Sequence, residues 1–256
     1  MLILLSPAKT IKFDKYSTSL PTSIPEFSKR TDFLVKHLKE MKIEEIQALM
    51  GISRSLAELN YERFQVYSSQ HSPLNAQPAL LTFMGDVYTG MEAWSFSENE
   101  LKEAQKRLRI LSGFYGVLRP LDLMQPHRLE MGTPWNVDKY KNLYEFWKDD
   151  VTQNLKNLLN ELKTDLILNL ASNEYSKVVD FKALGVKLVS PAFKHLKQNE
   201  YKIVSFWAKR ARGLMARYVI KNNITNENDL LGFDSESYFY LKEISEKDKP
   251  TFSQVF

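Results

Sequence analysis

The residues that could do chemistry are charged side chains set in otherwise apolar segments. Lys9 follows the apolar run at 2–5, in the turn Ser6-Pro7-Ala8-Lys9-Thr10. Asp86 and Tyr88 lie between Gly85 and Gly90. Arg119, Asp122, Arg128 and Glu130 interrupt a stretch at 109–132 that is rich in Leu, Phe, Tyr and Met. Glu174 and Lys177 follow a second apolar run at 165–170. Charge carried into apolar surroundings needs a partner or a ligand. Two readings stand side by side. Lys9, Asp86, Arg119, Asp122, Arg128 and Glu130 are candidate catalytic residues, or they are internal ion pairs that hold irregular segments in place. Their spacing shows no nucleophile beside a base, so no reaction is assigned and the balance leans away from an enzyme.

A second kind of candidate is the segment 205–221, SFWAKRARGLMARYVIK, with five cations and no acidic residue. At 100° per residue, Lys209, Arg210, Arg212, Arg217 and Lys221 fall on one side and Trp207, Ala211, Leu214, Met215, Tyr218 and Val219 on the other. A helix with an unmixed basic face beside aromatic residues points to phosphate. A solvated surface helix explains the same letters. Ala211 and Gly213 thin the apolar side, which disfavours a membrane-surface helix.

The third candidate lies at 43–64. Ile46, Leu49 and Met50 end one helix, Gly51-Ile52-Ser53 makes a tight connection, and Leu56, Ala57, Leu59 and Phe64 continue a second. The core at 49–57 resembles a helix-hairpin-helix pattern, in which glycines bring backbone N–H groups and a helix start close to a phosphate. Ser53 stands where that pattern has its second glycine and is equally an ordinary N-cap. Gly51, Ser53 and Arg54 are the candidate contacts, and a plain helical hairpin is the other reading.

The elements that must position these groups follow from pattern. Strands are expected at 2–5, 80–83, 165–170, 186–189, 202–206, 238–241 and 251–255. Helices are expected at 25–40, 43–50, 53–64, 97–108, 143–162 and 205–221, with another starting at 171–175. Ser97 and Glu100 form a capping box. Residues 14–25 read as a loop, and 85–90 as a compact turn. The segment 109–132 holds Gly113, Gly116, Pro120, Pro126 and Gly132, so it is not one long helix. Helices and strands alternate with no repeat and no linker, which gives one mixed α/β domain over residues 1–256.

Composition narrows the classes. With 256 residues, 43% of them hydrophobic, the chain can bury a sizeable core. The net charge of +4 is small, so a polyanion site must come from clustering. There is no cysteine, and His37, His71, His127 and His195 are far apart, which argues against a thiolate or histidine metal centre. A dedicated iron site would have carboxylates alone and be weak. No cofactor is expected. The first ten residues lack the pattern of a signal peptide, and no apolar run approaches the about 18 residues of a membrane span.

Five motifs in order carry a resemblance over nearly the whole chain: SPAKT (6–10), GDVYTG (85–90), LSGFYGVLRPLDLMQPHRLEMG (111–132), NLASNEY (169–175) and KRARGLMARYVIKN (209–222). Together they are similar to the peroxide stress protein YaaA family. Only 242–256 match nothing in it. The resemblance implies a mixed α/β fold of unusual architecture, with a basic cleft and a helix-hairpin-helix element. It implies a cytoplasmic bacterial protein of the hydrogen peroxide response that binds duplex and branched DNA, bubble or junction, and limits iron-driven damage. Membrane is not an expected partner. The DNA contacts would then come from Lys9, Gly51, Ser53, Arg54, Arg119, Arg128, Lys209, Arg210, Arg212 and Arg217. An enzyme acting on DNA or on a nucleotide-like substrate in the same cleft is the alternative.

Overall fold

The computed structural model describes residues 1–13 and 19–254. Of the loop read at 14–25, residues 14–18 lie outside the described residues, as does Val255 of the last expected strand. The fold is mixed α/β, organised by two sheets of five and four strands around one apolar core. The five-stranded sheet runs Gly116–Leu118, Leu108–Ser112, Leu2–Leu5, Leu166–Asn169, Lys187–Val189. Its last four strands are parallel, and Gly116–Leu118 is an antiparallel edge. Leu2–Leu5 lies at the centre and is fully buried, because an apolar run with no polar alternation suits a strand covered on both faces.

The four-stranded sheet runs Glu200–Lys202, Ala192–Lys197, Thr251–Gln254, Tyr238–Tyr240. Its middle pair is parallel and its outer pairs antiparallel. Residues beyond 242, which the motifs did not reach, therefore supply an interior strand. The helix Ser205–Lys221 packs on this sheet through Ala192–Lys197.

Most expected elements are present. The helices Ser28–Glu40, Ile43–Met50, Arg54–Val66, Glu98–Arg107 and Leu143–Glu161 fall where periodicity places them. Both bonds of the capping box form: Ser97 N–H donates to Glu100 Oε2 at 2.7 Å, and Glu100 N–H to Ser97 Oγ at 3.3 Å. Four corrections follow. Residues 79–82 form a helical turn and only Phe83–Met84 is extended, paired with Thr10–Ile11. The N–H groups of Ala79 and Leu80 are taken by Asp122 O and Pro120 O instead of a sheet neighbour. The turn at 85–90 is a six-residue helix, Asp86–Met91. The strand read at 202–206 stops at Lys202, and Ser205 already begins the helix, with Val204 O accepting from Ala208 N–H at 2.9 Å. The segment 109–132 is not wholly irregular, since it contains most of Leu108–Ser112, which pairs with the central strand.

The helices Asp86–Met91 and Ser205–Lys221 cross at backbone distance. A Cβ at Gly213 would lie 1.8 Å from Val87 O, and one at Gly90 would lie 2.2 Å from Arg210 O. The obstructing atoms are carbonyl oxygens, which no side-chain rotation can move. Gly213→Ala is expected to destabilise the fold by about 1–3 kcal/mol or more, as overpacking does. Urea unfolding of the variant measures this, and an unchanged midpoint would refute the close crossing.

Candidate functional site

Three adjacent parallel strands end at one place. Leu2–Leu5 leads into residues 6–10, Leu166–Asn169 into residues 170–175, and Leu108–Ser112 into the Gly113 turn. Strand order runs outward from Leu2–Leu5 in both directions, so these carboxyl ends flank a switch point where open α/β sheets place ligands. Ser6 ties the place together. Its Oγ accepts from Ser172 N–H at 2.8 Å and donates to Ser172 Oγ at 3.3 Å. Its carbonyl accepts from the Tyr88 hydroxyl at 2.9 Å. Tyr88 is buried, and that burial pushes its phenol well above the ordinary range.

Above these bonds opens a cleft of ≈ 480 Å³. It is lined by residues 6–10 and 84–88, by Ser172, Glu174 and Tyr175, and by Lys209 and Arg212. A smaller recess of ≈ 20 Å³ adjoins it, sharing Pro7, Ala8, Lys9 and Tyr175 and adding Ser112, His127, Arg128 and Glu130. In the recess Glu130 bridges two cations, with Lys9 Nζ at 2.8 Å and an Arg128 guanidinium nitrogen at 2.8 Å. The Glu130 backbone is held in turn, because a Cβ at Gly113 would lie 2.5 Å from Leu129 O and 2.7 Å from the Glu130 carbonyl carbon.

The predicted site residues divide. Lys9, Asp86, Arg128, Glu130, Lys209 and Arg212 line the cleft or the recess. Arg119 and Asp122 line neither. Asp122 is buried, accepts from the Arg119 N–H at 2.8 Å, the Arg119 Nε–H at 2.9 Å and the Ser23 hydroxyl at 2.6 Å, and pins the segment at 23–24 to that at 119–122. Burial raises its carboxyl above the ordinary value and Arg119 offsets part of that rise. Of the basic helix, Arg210 pairs with Glu236, Arg217 with Glu92 and Lys221 with Glu100. The expectation of one unmixed basic face is corrected by these three acids, which arrive from other parts of the chain. Lys209 and Arg212 have no acidic partner among the described residues, and burial alone draws the Arg212 guanidinium below its ordinary range.

The segment at 43–66 is a pair of helices joined through Gly51 in the left-handed region, φ 59°. Ser53 is the N-cap, accepting from Leu56 N–H at 3.4 Å. Arg54 is held between Glu44 at 2.7 Å and Glu58 at 2.8 Å. Among the described residues no group of His, Asp and Glu is arranged to hold a metal ion, and no helix is long and apolar enough to cross a membrane.

Sequence reasoning passed over Ser6, Ser172 and His127 as site residues. The serines carried a signal, since each comes within three residues of the end of a buried strand. His127 carried none. Its ring stacks on Phe114 at 4.6 Å between centroids, and Nδ1–H donates to Gln125 O at 2.8 Å, which leaves Nε2 as the atom able to accept.

The fold is a mixed α/β domain with a cleft at the carboxyl ends of parallel strands. The family model described as "Peroxide stress protein YaaA" matches residues 1–244, and the chain belongs to that family. Relatives extend over the whole length. A UPF0246 protein of Shewanella baltica (strain OS155 / ATCC BAA-1091) is 46% identical over 252 residues, 98% of each chain. One from Hahella chejuensis (strain KCTC 2396) is 45% identical over 246 residues, 96% of each. One from Polynucleobacter necessarius subsp. necessarius (strain STIR1) is 46% identical over 256 residues, all of this chain and 99% of its own.

The buried imidazole has a consequence for stability. Desolvation lowers His127 from 6.5 to about 4, so the folded chain keeps it neutral at pH values where the unfolded chain protonates it. Stability is therefore full above about 6.5 and falls as pH drops toward about 4, by about 3 kcal/mol from this group. In His127→Phe this part of the pH dependence of unfolding should flatten. An unchanged slope between those pH values would contradict the assignment.

Proposed function

We propose that this chain is a cytoplasmic DNA-binding protein of the bacterial peroxide-stress response, holding duplex or branched DNA through phosphate contacts and limiting iron-driven damage to it. The family supports the setting. The observation that carries the contact is the pair Lys209 and Arg212, cations that line the cleft with no carboxylate partner among the described residues. Lys9, Arg54, Arg119, Arg128, Arg210 and Arg217 are each engaged by a carboxylate, so they contribute field rather than free charge. The hairpin at 43–66 serves as a helix-hairpin-helix element through the backbone N–H groups that open Arg54–Val66, with Arg54 already satisfied.

A second reading has its own observation. Asp86 and Glu174 stand in the cleft walls, where carboxylates would repel a polyanionic backbone. A pocket lined this way suits an enzyme acting on a nucleotide-like substrate.

Binding of labelled duplex, bubble and four-way-junction DNA across a salt series tests the first reading. Two free cations predict a log–log slope of about 1.8 on duplex, reduced by about 0.9 in Arg212→Ala. The loss should be similar on every sequence, as for phosphate contacts. Absence of binding at low salt, or an unaltered slope in the variant, would sink the DNA reading.

A further inference from the structure

The cleft contains unspent chemistry of both signs. Lys209 and Arg212 come from one helix and have no acidic partner among the described residues. Asp86 comes from the facing helix and has no ion-pair or hydrogen-bond partner among the described residues. Glu174 uses one oxygen to accept from Gly132 N–H at 3.1 Å, and its other oxygen has no partner among the described residues. Arg212 and Asp86 line the same space without forming an ion pair. Free opposite charges in one half-buried cleft would collapse onto each other if the backbone let them. The close crossing at Gly90 and Gly213 fixes the register of their helices, and both charges line the space between. A site of this kind is complementary to a molecule with an anion at one end and hydrogen-bond donors at the other.

Size and lining narrow the class. The cleft, ≈ 480 Å³, falls within the about 300–1,000 Å³ of small-molecule sites. Pro7, Ala8, Met84 and Val87 add apolar surface, and Tyr175 adds an aromatic ring. Ser172 receives its hydrogen bond from Ser6, which frees its own hydroxyl proton for a ligand oxygen. We infer that the cleft binds one nucleoside monophosphate unit. Its phosphate lies on Arg212, Lys209 and the Ser172 hydroxyl, its sugar or base donors on Asp86 and Glu174, and its base against the apolar wall. This rests on the same two cations as the DNA reading but requires the carboxylates, which that reading does not use.

Two sources supply this chemistry: a free mononucleotide, or a nucleotide unit presented by single-stranded DNA. Titration calorimetry of the full chain with adenosine monophosphate, adenosine, inorganic phosphate, a single-stranded oligonucleotide and duplex separates them. Adenosine monophosphate should bind, and removing its phosphate or making Arg212→Ala should each weaken it by about tenfold or more, as expected for a hydrogen bond to a charged group. Asp86→Asn should weaken adenosine monophosphate similarly while leaving inorganic phosphate unchanged, a split that a general loss of structure would not give. Thermal unfolding of both variants checks that they remain folded. Competition between the oligonucleotide and adenosine monophosphate supports the site and makes the strand its source of nucleotide. Adenosine monophosphate binding without duplex binding upholds the pocket and discards the backbone reading. Duplex binding without adenosine monophosphate binding, or an Asp86→Asn variant that binds the nucleotide as the native chain does, overturns the inference.

Discussion

The contact of two helix backbones at Gly90 and Gly213 is the constraint on which the cleft depends. One helix carries Asp86 and Tyr88, the other carries Lys209 and Arg212. Packed at ordinary side-chain distance, they would leave a wider, shallower groove. With carbonyl oxygens where a Cβ would otherwise sit, rotation or sliding of either helix costs a steric clash. Arg107 adds a second restraint from the other end, donating to Val219 O at 3.1 Å near the end of the long helix. Tyr88 then reaches from the short helix to Ser6, so the helix pair is tied to the central strand as well.

The ion pairs of the basic helix join parts of the chain that are far apart in sequence. Glu92, Glu100 and Glu236 neutralise three of the five cations on Ser205–Lys221, and Glu130 serves both Lys9 and Arg128. The exposed pairs contribute little to stability, about 0–1 kcal/mol each. Their larger effect is on selectivity, because each one removes a cation that would otherwise attract any polyanion. On that helix the two cations without an acidic partner among the described residues, Lys209 and Arg212, both line the cleft.

The strands and long helices were legible in the sequence because their signals are local. The run at 2–5 is apolar on both faces, and Ser97 with Glu100 announces a helix start within four letters. Leu108–Ser112 was missed because it follows Glu98–Arg107 with no turn residue between them, and because Arg109 breaks its apolar run. The Ala192–Lys197 hairpin was missed because its turn uses Gln198 and Asn199, φ 52° and 62°, where glycine is the usual signal. At the site, Lys9, Asp86, Arg128, Glu130, Lys209 and Arg212 were found as charges out of place. Arg119 with Asp122 looked the same in sequence, since a buried ion pair and a binding site present identical letters until their neighbours are known. The basic helix looked uniform for a related reason: the acids that divide it lie elsewhere in the chain.

The crossing also bears on how variation among relatives should be read. Gly90, Gly113 and Gly213 lie beside the cleft, and each has backbone atoms where a side chain would go. Drift at these positions is blocked by steric exclusion, whatever the ligand. They will therefore stay invariant in any descendant that keeps the fold, even one that has abandoned the original activity. Invariance at Arg212, Asp86 or Glu174 has a different meaning. Those side chains border open space, where replacements fit and only selection for a ligand would refuse them. Across this family, invariance at the glycines would therefore report architecture, and invariance at the charges would report use.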